Sequence, residues 1–208
     1  AWFGHTIAGS LYAVAFGSFF AHLLKTSGVI GDDTGIPVDK ILAVIAIIIF
    51  TFVNVRGSSD TGKVGNAITF TQLAIIGILI VAAIGAMMFA NPNWSDNYTD
   101  FLPSGVAGLA LAMGLTFIAF EGYEIISQAG DEIRNPKKNI PRAILISLGI
   151  VVSVYILFTF VFIGGLNESV IGMPAWEFIG SFGELGIIEA ADQFLQFGAL
   201  IVLAGGLV

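Results

Sequence analysis

The sequence predicts an all-α, polytopic membrane protein, and three observations carry that prediction: composition, six charge-free runs, and loops of alternating charge. The chain is 56% hydrophobic and 11% charged, with a mean hydropathy of +0.93. A soluble domain carries about 25% charged residues, so this chain could not cover a water-facing surface with polar groups. Residues 1–24, 41–55, 64–95, 101–120, 143–167 and 193–208 contain no Asp, Glu, Lys or Arg. A helix needs roughly 20 largely apolar residues to cross the ~30 Å hydrocarbon layer. The first, third, fourth and fifth runs reach that length. The second reaches it with Ile36, Pro37 and Val38, and the sixth stops at Val208. Barrel strands would alternate in polarity over about 10 residues, whereas "ILAVIAIIIF" does not.

In the first run, Gly4, Gly9 and Gly17 are expected to let neighbouring helices approach closely. His5 and His22 are isolated and are expected to be packed interhelical donors. The linker 56–63 carries Arg56 and Lys63, and the linker 131–142 carries Arg134, Lys137, Lys138 and Arg142. Linkers 91–103 and 165–192 have no basic residue but hold Asp96, Asp100, Glu168, Glu177, Glu184, Glu189 and Asp192. By the positive-inside rule, 56–66 and 131–142 face the cytoplasm and the acidic linkers face outward. Lys25 and Lys40 are the contrary charges, offset by Asp32, Asp33 and Asp39. Trp2, Trp94 and Trp176 lie near run ends, where aromatic residues favour the interface. The outer loop 165–192, with "MPAWEFIGSFGELG", is expected to form a short helix across the outer face, as a lid or as a packed surface loop.

The fourth run ends in "FIAFEGYEIISQAGDEIRNPKKNIPRAI". From 101 to 130 a single straight helix would measure about 45 Å at 1.5 Å per residue, half again the hydrocarbon thickness. Tilt could absorb the excess, and so could a break at Gly122. Glycine is about 1 kcal/mol worse than alanine in a helix, and it stands between Glu121 and Glu124. Unwound backbone at membrane depth persists where it is buried or lines a wet cavity, and acids there usually serve ion or proton coupling. Alternatively, residues 101–120 cross alone and both glutamates mark the inner end. Asn135-Pro136 is expected to stop a helix, and Pro141 suits the first turn of the next.

"FEGYEIISQAGDEIRNPKKNIPRAI" resembles the sixth-helix signature of the amino acid–polyamine–organocation transporters, the amino acid permeases among them. Phe120, Gly122, Glu124, Glu132, Asn135, Pro136, Ile140 and Pro141 occupy the family's places. "NVRGSSDTGKVGNAITFTQL" is similar to the link between its fourth and fifth helices, through Asn54, Gly57, Asn66 and Thr69. The resemblance covers residues 1–208 as one permease transmembrane domain, the family's third helix to part of its eighth. It implies a fragment of a five-plus-five inverted-repeat fold with a discontinuous sixth helix. Ile118, Ala119, Phe120, Glu121, Gly122 and Tyr123 would then bind substrate, with Phe120 as a gate. Glu124 matches a position tied to proton coupling. Glu121 replaces a residue that is often apolar and would favour a cationic substrate or a second proton. Many proton-coupled members have a lysine in the fifth helix where this chain has Gln72, so a lysine-based coupling scheme does not carry over. The first-helix half of such a site is absent from this sequence.

The expected function is therefore secondary active transport of an amino acid or related amine by alternating access, coupled to a proton or ion, in the lipid of a cell membrane. A channel or a non-transporting scaffold or sensor are the competing classes. The runs lack the repeated polar periodicity of a channel. The chain has no cysteine, which removes disulfides, thiol nucleophiles and thiolate metal sites. No nucleophile–base pair, metal-ligand spacing or cofactor motif is present, so an enzyme is not expected. A pI near 4.6 argues against nucleic acid. The chain begins without methionine or a basic n-region and is expected to be an internal piece of a longer protein, with no signal peptide.

Overall fold

A computed structural model describes residues 2–31, 35–56, 61–119 and 133–207. Among these residues the chain is helical and no strand occurs. The long helices are α1 (Trp2–Thr26), α2 (Val38–Arg56), α3 (Thr61–Phe89), α4 (Gly105–Ala119) and α5 (Pro136–Gly165). Short helices follow: α6 (Glu168–Ile171), α7 (Ala175–Ser181) and α8 (Gly186–Phe194), and then α9 (Gly198–Leu207). Single 3-10 turns lie at Trp94–Tyr98 and Gly183–Leu185. Among the described residues three helical stretches, Phe3–Thr26, Gly65–Phe89 and Pro136–Gly165, are long and apolar enough to cross a membrane.

Why these runs pack in pairs follows from small residues. α1 lies along α2 and α3 along α5. At the α1–α2 contact, a Cβ on Gly17 would sit 2.2 Å from the Asp39 carbonyl oxygen and 2.9 Å from the Ala43 nitrogen. Only glycine permits that approach, as the sequence led us to expect. Gly9, by contrast, has nothing within 4 Å, and Gly4 is exposed, so neither serves close packing among the described residues.

The main apolar cluster gathers Leu79 and Ala83 of α3, Val161 and Phe162 of α5, Phe178 of α7, Ile188 and Ala191 of α8, and Leu203 of α9. It sits at the end of the bundle that bears the acidic turns, called here the acidic end. The segment 165–192 is thus a packed cap that contributes Leu166, Ala175, Phe178, Ile188, Ala190 and Ala191 to the core, while Val170, Phe182 and Ile187 stay exposed. Two of its polar residues cap its own helices. Asn167 Oδ1 accepts from the Ser169 amide at 3.1 Å, and Glu168 Oε1 accepts from the Ala175 amide at 2.8 Å. A carboxylate at a helix N-terminus is favourable there. α8 is amphipathic, burying Ile188, Ala190 and Ala191 while Asp192 stays exposed.

Three boundaries differ from expectation. The sixth run does not begin a helix at 193, because α8 extends to Phe194 and α9 starts at Gly198. Between them Leu195 is extended and Phe197 has φ 71°. The corner is fixed by packing, with Gly198 against the Ala191 carbonyl. α5 begins at Pro136, which takes the first helical position, and Pro141 lies inside the helix rather than at its start. Proline costs nothing at the first position, where its N–H would be unpaired anyway. Pro141 deprives only the carbonyl of exposed Lys137, which other polar groups can reach. Lys137, Lys138 and Arg142 therefore ride on the first turns of α5. The fourth run, finally, enters its helix only at Gly105, where φ is 60°, so residues 101–104 precede the helix.

Candidate functional site

α4 delivers the chain to the predicted site. Its sequence GVAGLALAMGLTFIA contains no polar side chain except Thr116, and it makes only marginal contact with other described elements. Val106, Leu111, Met113, Leu115 and Phe117 are all well exposed. Ile118 and Ala119 close the described helix. Phe120, Glu121, Gly122, Tyr123 and Glu124 lie outside the described residues, as does the expected break. Gln72 is exposed on α3, seven residues before Leu79. That spacing places it on the stripe of Leu79, Ala83 and Ala86, the face that packs on the core, one turn beyond the reach of that core. The nearby hydroxyls of Thr69 and Thr71 donate to the Gly65 and Ala67 carbonyls at 2.9 Å each, as helix-interior threonines commonly do.

Buried polar groups converge at one place, and the sequence reading missed it. Asn91 and Asn97, both buried, stand in the turn after α3 and reach across to the end of α5. Asn91 Nδ2 donates to the carbonyls of Gly164 (2.9 Å) and Leu166 (2.8 Å). Asn97 Nδ2 donates to Ile163 (2.6 Å) and again to Leu166 (2.8 Å). The Tyr98 hydroxyl donates to the Phe160 carbonyl, and Asn167 Nδ2 returns a bond to Ala90 at 3.0 Å. A helix leaves its last four carbonyls unpaired, and this clasp satisfies two of those of α5, Ile163 and Gly164, and that of Leu166 just beyond. Gly164 makes room for it, since a Cβ there would meet the Tyr98 oxygen at 2.7 Å and Met87 Sδ at 2.9 Å. Burial pushes the Tyr98 hydroxyl above its usual pKa of 10, opposed by the Gly164 backbone. The only sequence signal was the turn "NPNW", which marks a loop but not its partner 75 residues away.

Cavities also open among the described residues. A groove of about 810 Å³ at the other end of the bundle is walled by α1, α2 and the end of α9, with His5, Ser10, Phe16, Phe50 and Thr51 among its lining. A cleft of about 660 Å³ between α4 and α5 is lined by Tyr98, Asp100, Tyr155, Phe160 and Trp176, with the Tyr98 and Phe160 rings stacked 4.9 Å apart. A smaller pocket of about 250 Å³ lies between α1 and α2 at the acidic end. Among the described residues no group of His, Asp or Glu could hold a metal ion.

Membrane-length apolar helices, with no strand among the described residues, define an all-α membrane protein. Residues 1–208 match the amino acid permease family over their whole length, and the chain belongs to that family. It is 31% identical over 208 residues to an uncharacterized protein of Methanocaldococcus jannaschii, covering 99% of this chain and 43% of that one. It is 29% identical to the methylthioribose transporter of Bacillus subtilis over 89% of this chain and 42% of the relative. With the human cationic amino acid transporter 4 it shares 34% identity over 43% of this chain and 14% of that protein. The chain thus spans less than half the length of these relatives. No solved structure matches it.

Proposed function

We propose that this chain is part of a secondary active transporter that moves amino acids or related amines by alternating access, with a proton as coupling ion. The whole-length match to the amino acid permeases supports this reading most directly. The run from Ile118 to Tyr123 is the proposed substrate contact, Glu124 the proton carrier, and Gln72 the neighbour on α3 that takes the place of a family lysine. The similarity to a methylthioribose transporter favours a second reading, in which the solute is a sulfur-containing sugar rather than an amine. Uptake of labelled amino acids, amines and methylthioribose by the full-length protein in liposomes, with and without a pH gradient, tests both. Uptake of none of them would remove the proposal.

Glu124→Gln is expected to abolish the stimulation of uptake by a pH gradient while leaving substrate binding within a few-fold of normal. The amide keeps the shape of the carboxylate but cannot load and release a proton. Unaltered uptake with unaltered pH dependence would exclude Glu124 as the carrier.

The proposed setting is a multi-pass protein of the cell membrane with 56–66 and 131–142 in the cytoplasm. Cysteines replacing Asp96 and Glu184 should react with an impermeant thiol reagent added to intact cells, and one replacing Lys138 should not. Labelling of the Lys138 position alone would invert the assignment.

A further inference from the structure

Lys25 is one of the two basic residues that run against the charge asymmetry, a lysine at the acidic end. On α1 it follows Ser18 and His22 at i+7 and i+3, so the three share one helix face. Together they line the 250 Å³ pocket. Across it stands Asp39, in the first turn of α2, and Leu185 of the 3-10 turn closes the rim. The Gly17–Ala43 contact directly below fixes the spacing of the two walls. The Lys25 and Asp39 side chains form no ion pair with each other. Each sits at the end of its own helix that suits its sign, the lysine in the last turn of α1 and the aspartate in the first turn of α2.

We propose that this pocket binds the zwitterionic head of a small amino acid. The ligand carboxylate is taken by the Lys25 ammonium with His22 and Ser18, and the ligand ammonium by the Asp39 carboxylate. Charges of opposite sign held on facing walls complement a molecule that carries both, and fail a molecule that carries one. Size points the same way. Sites for drug-sized ligands span about 300–1,000 Å³, and this pocket falls below them, large enough for a head group and a short side chain. The ligand class stands on this geometry. The role of the pocket as a loading station at the acidic end rests on the transporter reading.

The test uses full-length protein otherwise free of cysteine, with Leu185→Cys as a reporter on the rim and glycine as the probe. Glycine is expected to slow the reaction of that thiol with an impermeant reagent. Glycinamide, which carries only the positive charge, and N-acetylglycine, which carries only the negative, are expected to leave the rate unchanged at the same concentration. Lys25→Gln and Asp39→Asn should each raise the glycine concentration needed by about tenfold, the size of one lost charge-assisted hydrogen bond. Equal protection by either analogue, or none by glycine, overturns the pocket whether or not liposomes show uptake. Protection without uptake supports the pocket and counts against the transporter reading.

Discussion

Asn91→Leu is expected to destabilise the protein by roughly 2–4 kcal/mol, although the residue is not among the proposed substrate contacts. Leucine is similar in volume and apolar, so the loss comes from hydrogen bonding. Two donors disappear from a buried site. The Leu166 carbonyl keeps its bond from Asn97, but the Gly164 carbonyl, among the last of α5, loses the side-chain donor that reaches it. An orphaned buried carbonyl costs about 1–3 kcal/mol, and the network around it weakens further. Asn91→Asp should be at least as harmful, because it replaces the one nitrogen that makes both bonds by a carboxylate oxygen facing carbonyl oxygens. Asn167→Ala, at a half-buried position, removes the bond to Ala90 and the cap on the Ser169 amide and should cost about 1–2 kcal/mol, less than Asn91→Leu. Thermal unfolding of the purified variants in one detergent measures the series. A cost below about 1 kcal/mol for Asn91→Leu, or a milder effect of Asn91→Asp, would show that water or neighbouring groups satisfy those carbonyls and that the clasp is not what joins α3 to α5.

What the sequence made legible was local. Charge-free runs gave the long helices because burial of apolar side chains in lipid needs no partner to be specified. The small-residue contact at Gly17 was anticipated, but the sequence did not separate it from Gly9, which has nothing within 4 Å. The clasp was not legible, because Asn91 and Leu166 meet only after α3 and α5 have folded against each other. The corner at Leu195–Phe197 was hidden for a similar reason. No proline or glycine precedes it within the run, and the turn is dictated by Gly198 seating on Ala191. Pro141 misled because a proline can sit inside the first turns of a helix at little cost. Of the candidate site, Gln72 is placed on the core-facing stripe of α3, while the stretch Phe120–Glu124 rests on the sequence and the family match.

The second large effect concerns that stretch. Gly122→Leu is expected to leave membrane insertion intact and to lower substrate affinity by roughly 10–100-fold. If residues 120–123 leave helical geometry around a substrate, glycine is needed there because backbone must approach the ligand without a Cβ in the way. Leucine would gain about 1 kcal/mol of helix propensity and so favour the continuous helix. Its side chain would also overpack the site, at a cost of about 1–3 kcal/mol, which converts to the stated loss of affinity. Insertion should survive because leucine partitions into the bilayer at least as well as glycine. A continuous tilted helix with Glu121 and Glu124 at its inner end predicts the reverse, a neutral or mildly stabilising substitution with affinity intact. Expression, melting temperature and substrate binding measured on the same purified variant separate the two. Normal binding would return both glutamates to the membrane interface and leave the pocket of Lys25 and Asp39 as the better-supported place for a zwitterion on this chain.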